Sequence, residues 1–321
     1  MTGSHRLQKG VSLRIARIVI SNDDGLTSNI LALYNALKAA GHDVIVSVPC
    51  QNQSGTGTSL NQGLPAPTLA QACRCGSAAA GAPSAGPMQR EGIGAGDFFY
   101  VEGTPVMAVL YGIDVLAQGR WGKPPDLVLS GPNEGQNVGS IIVNSGTVSV
   151  VQMALARGIA AIALSAGANS ADDATLANPL SKLIATLSVQ LVRSLLAHAG
   201  QGKILPAGLG LNVNFPDNPE GAAWKAAVVG SYSAYDFVFV PDMQASASPM
   251  VRQLAHEHGL TLPNAPGLSV QMNDAPPLPS QQNDESVVYK TAIAVSPIQA
   301  GYAPAAMQDI AARVVQGLDE G

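Results

Sequence analysis

Charge is scarce in this sequence: 17 Lys and Arg stand against 22 Asp and Glu in 321 residues, a formal net charge of −5. So little charge beside 46% apolar residues excludes a disordered chain and points to a sizeable packed core. The slight acidic excess lacks the basic field of a nucleic-acid binder, so no nucleic-acid partner is expected. Cysteine is scarce too. Cys50, Cys73 and Cys75 are an odd set, which argues against a disulfide scaffold, and Cys73 and Cys75 have the wrong spacing for a zinc knuckle. They read as ordinary thiols in a surface loop, with a Cys73–Cys75 or Cys50-linked disulfide left open for an exported protein. Long apolar runs are missing as well. Gly, Ser or charge interrupts each one before the roughly 20 residues that span a bilayer, so no membrane partner is expected. The first twenty residues show no signal-peptide pattern. The expected location is cytoplasmic as the sequence stands, or exported if a native signal has been removed. Neither a Walker A sequence nor a G-x-G-x-x-G after the first strand is present, so the nucleoside triphosphate and dinucleotide fingerprints are absent.

What is there is an alternation of strands and helices. Residues 17–21 (RIVIS), 43–48 (DVIVSV), 98–101, 126–130 (DLVLS), 159–165 (IAAIALS) and 211–215 (LNVNF) are short apolar runs that suit buried parallel strands. Between them, Ile30, Leu33, Tyr34 and Leu37 recur on one helical face. Thr104-Pro105 caps a second helix, residues 147–157 form a third, and Leu180, Leu183, Ile184, Leu187 and Leu191 mark a longer one. This rhythm predicts an α/β fold: a Rossmann-like, doubly wound, mostly parallel sheet. Residues 1–13 read as a leader or disordered N-terminus, and 14–230 as the α/β core. An Ala/Gly/Ser/Pro-rich surface insertion at 65–96 has no period and is expected to be poorly ordered in part. Residues 231–321 read as an extended β arm, an alternating strand at 287–296 and an amphipathic C-terminal helix within 301–318. Arms of this kind often serve oligomerisation.

In such folds ligands bind beyond the carboxyl ends of the strands. Polar clusters fall there: Ser21-Asn22-Asp23-Asp24-Gly25, Asn52-Gln53-Ser54-Gly55-Thr56-Gly57, residues 130–137 (SGPNEGQN) and Asn144-Ser145-Gly146-Thr147. Two adjacent carboxylates in a tight turn repel each other unless a cation or solvent intervenes, and hard oxygens suit Mg²⁺, Mn²⁺ or Ca²⁺. The alternative is a solvated turn in which Asn22 or Asp23 caps the next helix. Ser145-Gly146-Thr147, directly before a helix, offers either an anion site or a plain N-cap. Together the two clusters suggest phosphoryl chemistry. His256-Glu257-His258 reads as solvated surface and His42 as exposed. Trp121 and Trp224 read as packing residues, and Tyr232, Tyr235 and Phe237 as facing a partner.

The motifs IVISNDDG (18–25), NQSGTG (52–57), EGTPVMAVLYG (102–112), SGPNEGQNVG (130–139), NSGTV (144–148), LNVNFP (211–216) and VSPIQAGY (295–302) resemble the SurE family of metal-dependent 5′/3′-nucleotidases. The resemblance implies a divalent cation, Mg²⁺ or Mn²⁺ (Ca²⁺ in a crystal), held by Asp23, Asp24, Ser54 and Asn133. It also implies phosphate contacts from Asn137, Ser145, Gly146 and Thr147. The expected reaction is hydrolysis of a small phosphorylated substrate, a nucleoside monophosphate foremost. Asp23 and Asp24 are the catalytic candidates: Asp23 as nucleophile, or either as the base for an attacking water. A homodimer or homotetramer is implied. Residues 26–29, Pro132, Glu134, the 65–96 insertion and the arm depart from the family pattern and leave substrate and assembly open. The competing readings are a non-catalytic metal- or nucleotide-binding module on the same fold, and a phosphatase for a specialised phosphorylated metabolite.

Overall fold

Arg17–Ser21 (β1) is buried on both faces, as a β-branched run without a polar side must be. It sends Ile18 and Ile20 to one side of the sheet and Val19 to the other. A computed structural model describes residues 14–60, 67–94, 96–171, 175–249, 251–252, 255 and 261–301. The expected leader at 1–13, His256-Glu257-His258 and the C-terminal helix within 301–318 beyond Gly301 lie outside the described residues.

Asp43–Pro49 (β2), Ala85–Pro87 (β3), Phe98–Val101 (β4), Leu127–Glu134 (β5), Ala160–Ala166 (β6), Leu209–Asn214 (β7), Trp224–Ala226 (β8) and Ile293–Gln299 join β1 in one sheet. Tyr235–Val240 (β9) and Gly267–Met272 (β10) form a separate antiparallel pair, so the strand at Ile293–Gln299 is β11. Among the described residues the large sheet runs β3-β4-β2-β1-β5-β6-β7-β11-β8. β4, β2, β1, β5, β6 and β7 are mutually parallel, and β3 and β11 pair antiparallel. The chain winds outward from β1 through β2 and β4, then returns to β5 on the other side of β1. That reversal opens a crevice at the carboxyl ends of β1 and β5.

Helices cover both faces. Ser28–Ala39 (α1) is capped by Thr27, whose hydroxyl accepts from the Ile30 N–H at 3.2 Å. Pro105–Tyr111 (α2) is capped by Thr104 and continues through a π-helical stretch into Gln118–Trp121 (α3). Gly146–Ala156 (α4) and Pro179–Ala199 (α5) follow, then the short Met243–Ser246 (α6) and Glu285–Val288 (α7). α1 and α5 pack over Ile18, Ile20, Leu127 and Leu129, while α2 and α4 pack over Val19, Ile45 and Val128. Each such buried aliphatic side chain contributes about 1.5–3 kcal/mol. By length and composition alone, 21-residue α5 is apolar enough to cross a membrane. Its apolar stripe of Ile184, Ala185, Val192 and Leu196 is buried in the core against α1.

Several expectations are corrected. The insertion is folded over residues 67–94: Leu69, Cys73 and Ala78 make a small core with Cys50 and Tyr100, and β3 joins the sheet edge. Cys50 and Cys73 are buried and joined by a disulfide, not surface thiols. β5 continues to Glu134 through the expected loop, and residues 139–144 form a 3-10 turn. The alternating run at 287–296 divides into α7 and β11, because period-2 alternation over a few residues does not separate a helical turn from a strand. His42 is buried, and its Nδ1 accepts the Ala16 N–H at 3.2 Å. Tyr232 is buried too, with its hydroxyl on the Ala275 carbonyl at 3.0 Å. Trp121 and Trp224 pack as expected, Trp121 donating to Asp43 at 2.7 Å and Trp224 lying edge-on to Phe215.

Candidate functional site

The turn after β1 is closed by Asn22, whose amide donates to the Gly25 carbonyl at 2.8 Å and accepts the Gly25 N–H at 3.1 Å. Thr27, not Asn22 or Asp23, caps α1, which leaves both aspartates turned to the crevice. Asp23 and Asp24 are each only 3% exposed.

Asp24 is where three chain segments meet. Its Oδ2 accepts the Glu134 N–H at 3.1 Å, and its Oδ1 accepts the Asn52 amide at 3.2 Å and the Ser54 hydroxyl at 3.4 Å. Asn52 in turn holds the Ser54 N–H at 2.9 Å, and the Gln53 N–H donates to the Asp23 carbonyl at 2.7 Å. Burial, with the neighbouring charges of Asp23 and Glu134, pushes the Asp24 carboxyl up to about 8. Burial raises Asp23 as well, against the Thr147 hydroxyl and the backbone N–H groups of Thr147 and Gly146.

Asn133 reaches the crevice through an irregularity in β5. Its register with β6 shifts between Ser130 and Asn133. Gly131 there has φ +99°, and a Cβ would lie 2.1 Å from the Leu164 carbonyl oxygen, so only glycine fits. The Asn133 amide donates to the Gly135 carbonyl at 2.7 Å, and among the described residues its Oδ1 is buried with no hydrogen-bond partner. A buried oxygen of this kind is costly unless something else takes its lone pairs.

α4 brings its N-terminus to Asp23. Thr147 donates its hydroxyl to Asp23 Oδ1 at 2.7 Å. A Cβ on Gly146 would fall 2.6 Å from Asp23 Cβ, so glycine permits the approach. Ser145 serves as the N-cap, its hydroxyl accepting the Val148 N–H at 3.1 Å. Asn137 lies in a different buried network. Its amide donates to Ser165 at 2.9 Å, its N–H to Asn214, and its carbonyl accepts from Asn212 and Asn214. Among the described residues, its hydrogen bonds do not run to Asp23, Asp24 or α4.

Asp23, Asp24, Ser54, Gly146 and Thr147 are therefore brought together, Asn133 directly precedes Glu134, whose N–H holds Asp24, and Asn137 lies in a separate network. Sequence reasoning did not single out Asn52 as a site residue, although it stands beside Ser54 in a quoted motif. It also missed Arg74, whose guanidinium reaches the Asp24 carbonyl and the Glu134 carboxylate. Nothing in the irregular insertion marks Arg74 out. Glu285, which accepts from Gly139 at 3.1 Å and Asn212 at 2.9 Å, was missed for the same reason. Among the described residues no three His, Cys, Asp or Glu side chains form a metal-holding group. The available oxygen set mixes two carboxylates with neutral hydroxyl and amide oxygens, all of them hard donors.

A doubly wound, mostly parallel α/β sheet with buried acidic side chains at its switch point and a helix N-terminus beside them defines the class of the fold. Residues 18–234 match the family described as Survival protein SurE, and the chain belongs to that family. It is similar to an acid phosphatase of Yarrowia lipolytica, 38% identical over 210 residues. That match covers 62% of this chain and 56% of the relative, so the chain spans little more than half of that protein's length. It is also similar to proteins named 5′-nucleotidase SurE from Pseudoalteromonas atlantica and Gloeobacter violaceus. The first is 34% identical over 206 residues, covering 64% of this chain and 67% of the relative. The second is 34% identical over 213 residues, covering 66% and 68%. The crystal structure of the SurE protein from Aquifex aeolicus superposes with a TM-score of 0.62 at 24% identity, covering 91% of this chain and 97% of that one, and shows the shared fold.

Proposed function

We propose that this protein is a divalent-metal-dependent phosphomonoesterase that hydrolyses nucleoside 5′- or 3′-monophosphates, or related small phosphate esters, to an alcohol and phosphate. The names of its relatives support the reaction class. The observation that carries the metal dependence is the buried pair Asp23 and Asp24, with Asp24 bonded to the N–H of Glu134, the residue after Asn133, whose Oδ1 has no hydrogen-bond partner among the described residues. Two carboxylates 3% exposed and pushed toward neutrality are costly, and a cation removes both that cost and the orphaned oxygen. Asp23, Asp24, Ser54 and Asn133 would hold Mg²⁺ or Mn²⁺, and the ion supplies charge neutralisation and Lewis acidity to a bound phosphate.

The chain's own groups do the rest. Thr147 and the first N–H groups of α4 hold Asp23 in one orientation. Hydrolysis breaks the ester P–O bond: an oxygen joins phosphorus and a proton ends on the leaving alcohol. Asp23 or Asp24 takes a proton from the attacking water and the leaving alcohol receives one; or Asp23 itself attacks phosphorus, the leaving alkoxide takes a proton from solvent, and water then hydrolyses the aspartyl phosphate to restore the carboxylate. The start of α4 at Ser145, Gly146 and Thr147 lends its dipole to the phosphoryl oxygens as their charge spreads, its Gly146 and Thr147 N–H groups being already turned to Asp23.

Exposed Phe239 and Leu268 on the β9–β10 hairpin support the arm at 231–321 as an oligomerisation element of a homodimer or homotetramer. The Cys50–Cys73 disulfide supports the exported alternative for location, since such bonds persist in oxidising compartments.

The test is phosphate release from p-nitrophenyl phosphate and from a panel of nucleoside monophosphates, with Mn²⁺ and with EDTA. Wild-type turnover should need the metal, and Asp24→Asn should lose at least 100-fold, on the order of what loss of a ligand's support costs. Equal activity in EDTA, or in Asp24→Asn, would end the metal reading. Metal binding without turnover of any ester would leave a non-catalytic module.

A further inference from the structure

Arg74 sits in the insertion, remote in sequence from every cluster that forms the crevice, yet it touches two of them. Its Nη1 donates to the backbone carbonyl of Asp24, and its Nη2 to Glu134 Oε2 at 3.0 Å. Both side chains are largely buried, at 18% and 10% exposure. Glu134 is also the residue whose N–H holds the Asp24 carboxylate, and it follows Asn133 directly. The fork of Arg74 thus spans the turn after β1 and the end of β5, the two places that offer Asp24 and Asn133.

Arg74 is itself anchored to the third place. Its backbone N–H donates to the Cys50 carbonyl at 2.9 Å, and the preceding residue, Cys73, is disulfide-bonded to Cys50. Gln51 donates its amide to the Ala72 carbonyl at 2.7 Å. Cys50 and Gln51 lead straight into Asn52 and Ser54, the other groups on Asp24. One residue and one disulfide therefore tie together the three strand-end segments that carry the proposed ligands.

We infer that Arg74, held by the Cys50–Cys73 disulfide, is a positioning residue that sets the geometry, and hence the affinity, of the Asp24–Asn133–Ser54 cation site. The inference rests on the cation site proposed above. An arginine is suited to the task because a planar guanidinium makes both bonds at once from fixed directions, whereas a lysine ammonium is a point charge on a flexible stem. Two effects of Arg74 oppose each other, and this gives the test its sign. As a bare positive charge near a cation, Arg74 weakens cation binding, so deleting it should tighten the site. As the tie between the three segments, it strengthens binding, so deleting it should loosen the site.

The experiment is Mn²⁺ titration, followed by the electron paramagnetic resonance signal of the free ion, on wild type, Arg74→Met and Arg74→Lys, with thermal unfolding of the metal-free proteins as the check on folding. Both variants are expected to bind Mn²⁺ about 10-fold or more weakly, in the range typical of groups that orient metal ligands. Arg74→Lys keeps the charge and keeps the test decisive if Arg74→Met fails to fold. Wild-type or tighter affinity in Arg74→Lys, or in folded Arg74→Met, would overturn the inference while leaving the cation site standing. A wild-type protein that takes up no Mn²⁺ would remove the site and the inference together.

Discussion

Thr147 donates its hydroxyl to Asp23 Oδ1 at 2.7 Å, joining the first turn of α4 to the end of β1 across 124 residues. The helix N-terminus that offers an anion site thus has a carboxylate of the protein already beside it. The same contact fixes which way Asp23 points, and that orientation is what either of its proposed roles needs. Thr147→Val keeps the shape and removes the donor. We expect kcat for p-nitrophenyl phosphate hydrolysis to fall about 10- to 100-fold, with Thr147→Ser recovering most of it. Steady-state kinetics of the pair checks this, and wild-type kcat in Thr147→Val would contradict the orienting role.

Glu285 should make stability depend on pH. It is fully buried, and burial pushes its carboxyl from about 4.5 to about 7, against hydrogen bonds from the Gly139 N–H and the Asn212 amide. Asp284 beside it adds a raising influence and is itself bound by the N–H groups of Ser231 and Tyr232. Between those two values the folded state keeps a proton that the unfolded chain has released. Stability from this group is therefore full below about 4.5, is lost as pH rises to about 7, and is flat above. The loss is of order 3 kcal/mol. Denaturant unfolding at pH 5 and pH 8 measures it, and Glu285→Gln should reduce the difference between the two. An undiminished difference in that variant would assign it to other groups.

The Cys50–Cys73 disulfide closes a loop of sequence separation 23. Its removal should cost about 3 kcal/mol through the freedom returned to the unfolded chain. The double variant Cys50→Ser/Cys73→Ser should unfold several degrees lower than wild type, and a reductant should lower the wild type toward it without moving the variant. Coincident unfolding of the oxidised wild type and the double variant would show that the packing of Leu69, Ala78 and Tyr100 holds the insertion unaided.

The sheet was legible because its strands are buried on both faces. RIVIS, DVIVSV and IAAIALS each carry one wholly apolar face and are charged at most at their first residue, and α1 and α5 show apolar stripes at helical spacing. The caps Thr104 and Ser145 were readable for a local reason: an N-cap bonds an N–H three residues on, within reach of the sequence itself. Legibility failed where the determining partner is distant. His42 sits at a helix-to-strand junction that reads as exposed, and its partner, the Ala16 N–H before β1, is 26 residues away.

The sequence by itself determined the core strands and helices, the mostly parallel character of the sheet and the identity of the polar groups at the strand ends, because burial pattern and capping act over a few residues. Tertiary structure alone decided which of those groups meet. The reversal of winding at β1 sets Asp24 beside Glu134 and Ser54, α4 brings Thr147 onto Asp23, and the disulfide carries Arg74 from a patternless insertion into the crevice. Each of those hydrogen bonds joins residues 30 or more apart along the chain, and the disulfide joins residues 23 apart; over such distances only the packing of the whole sheet selects the partner.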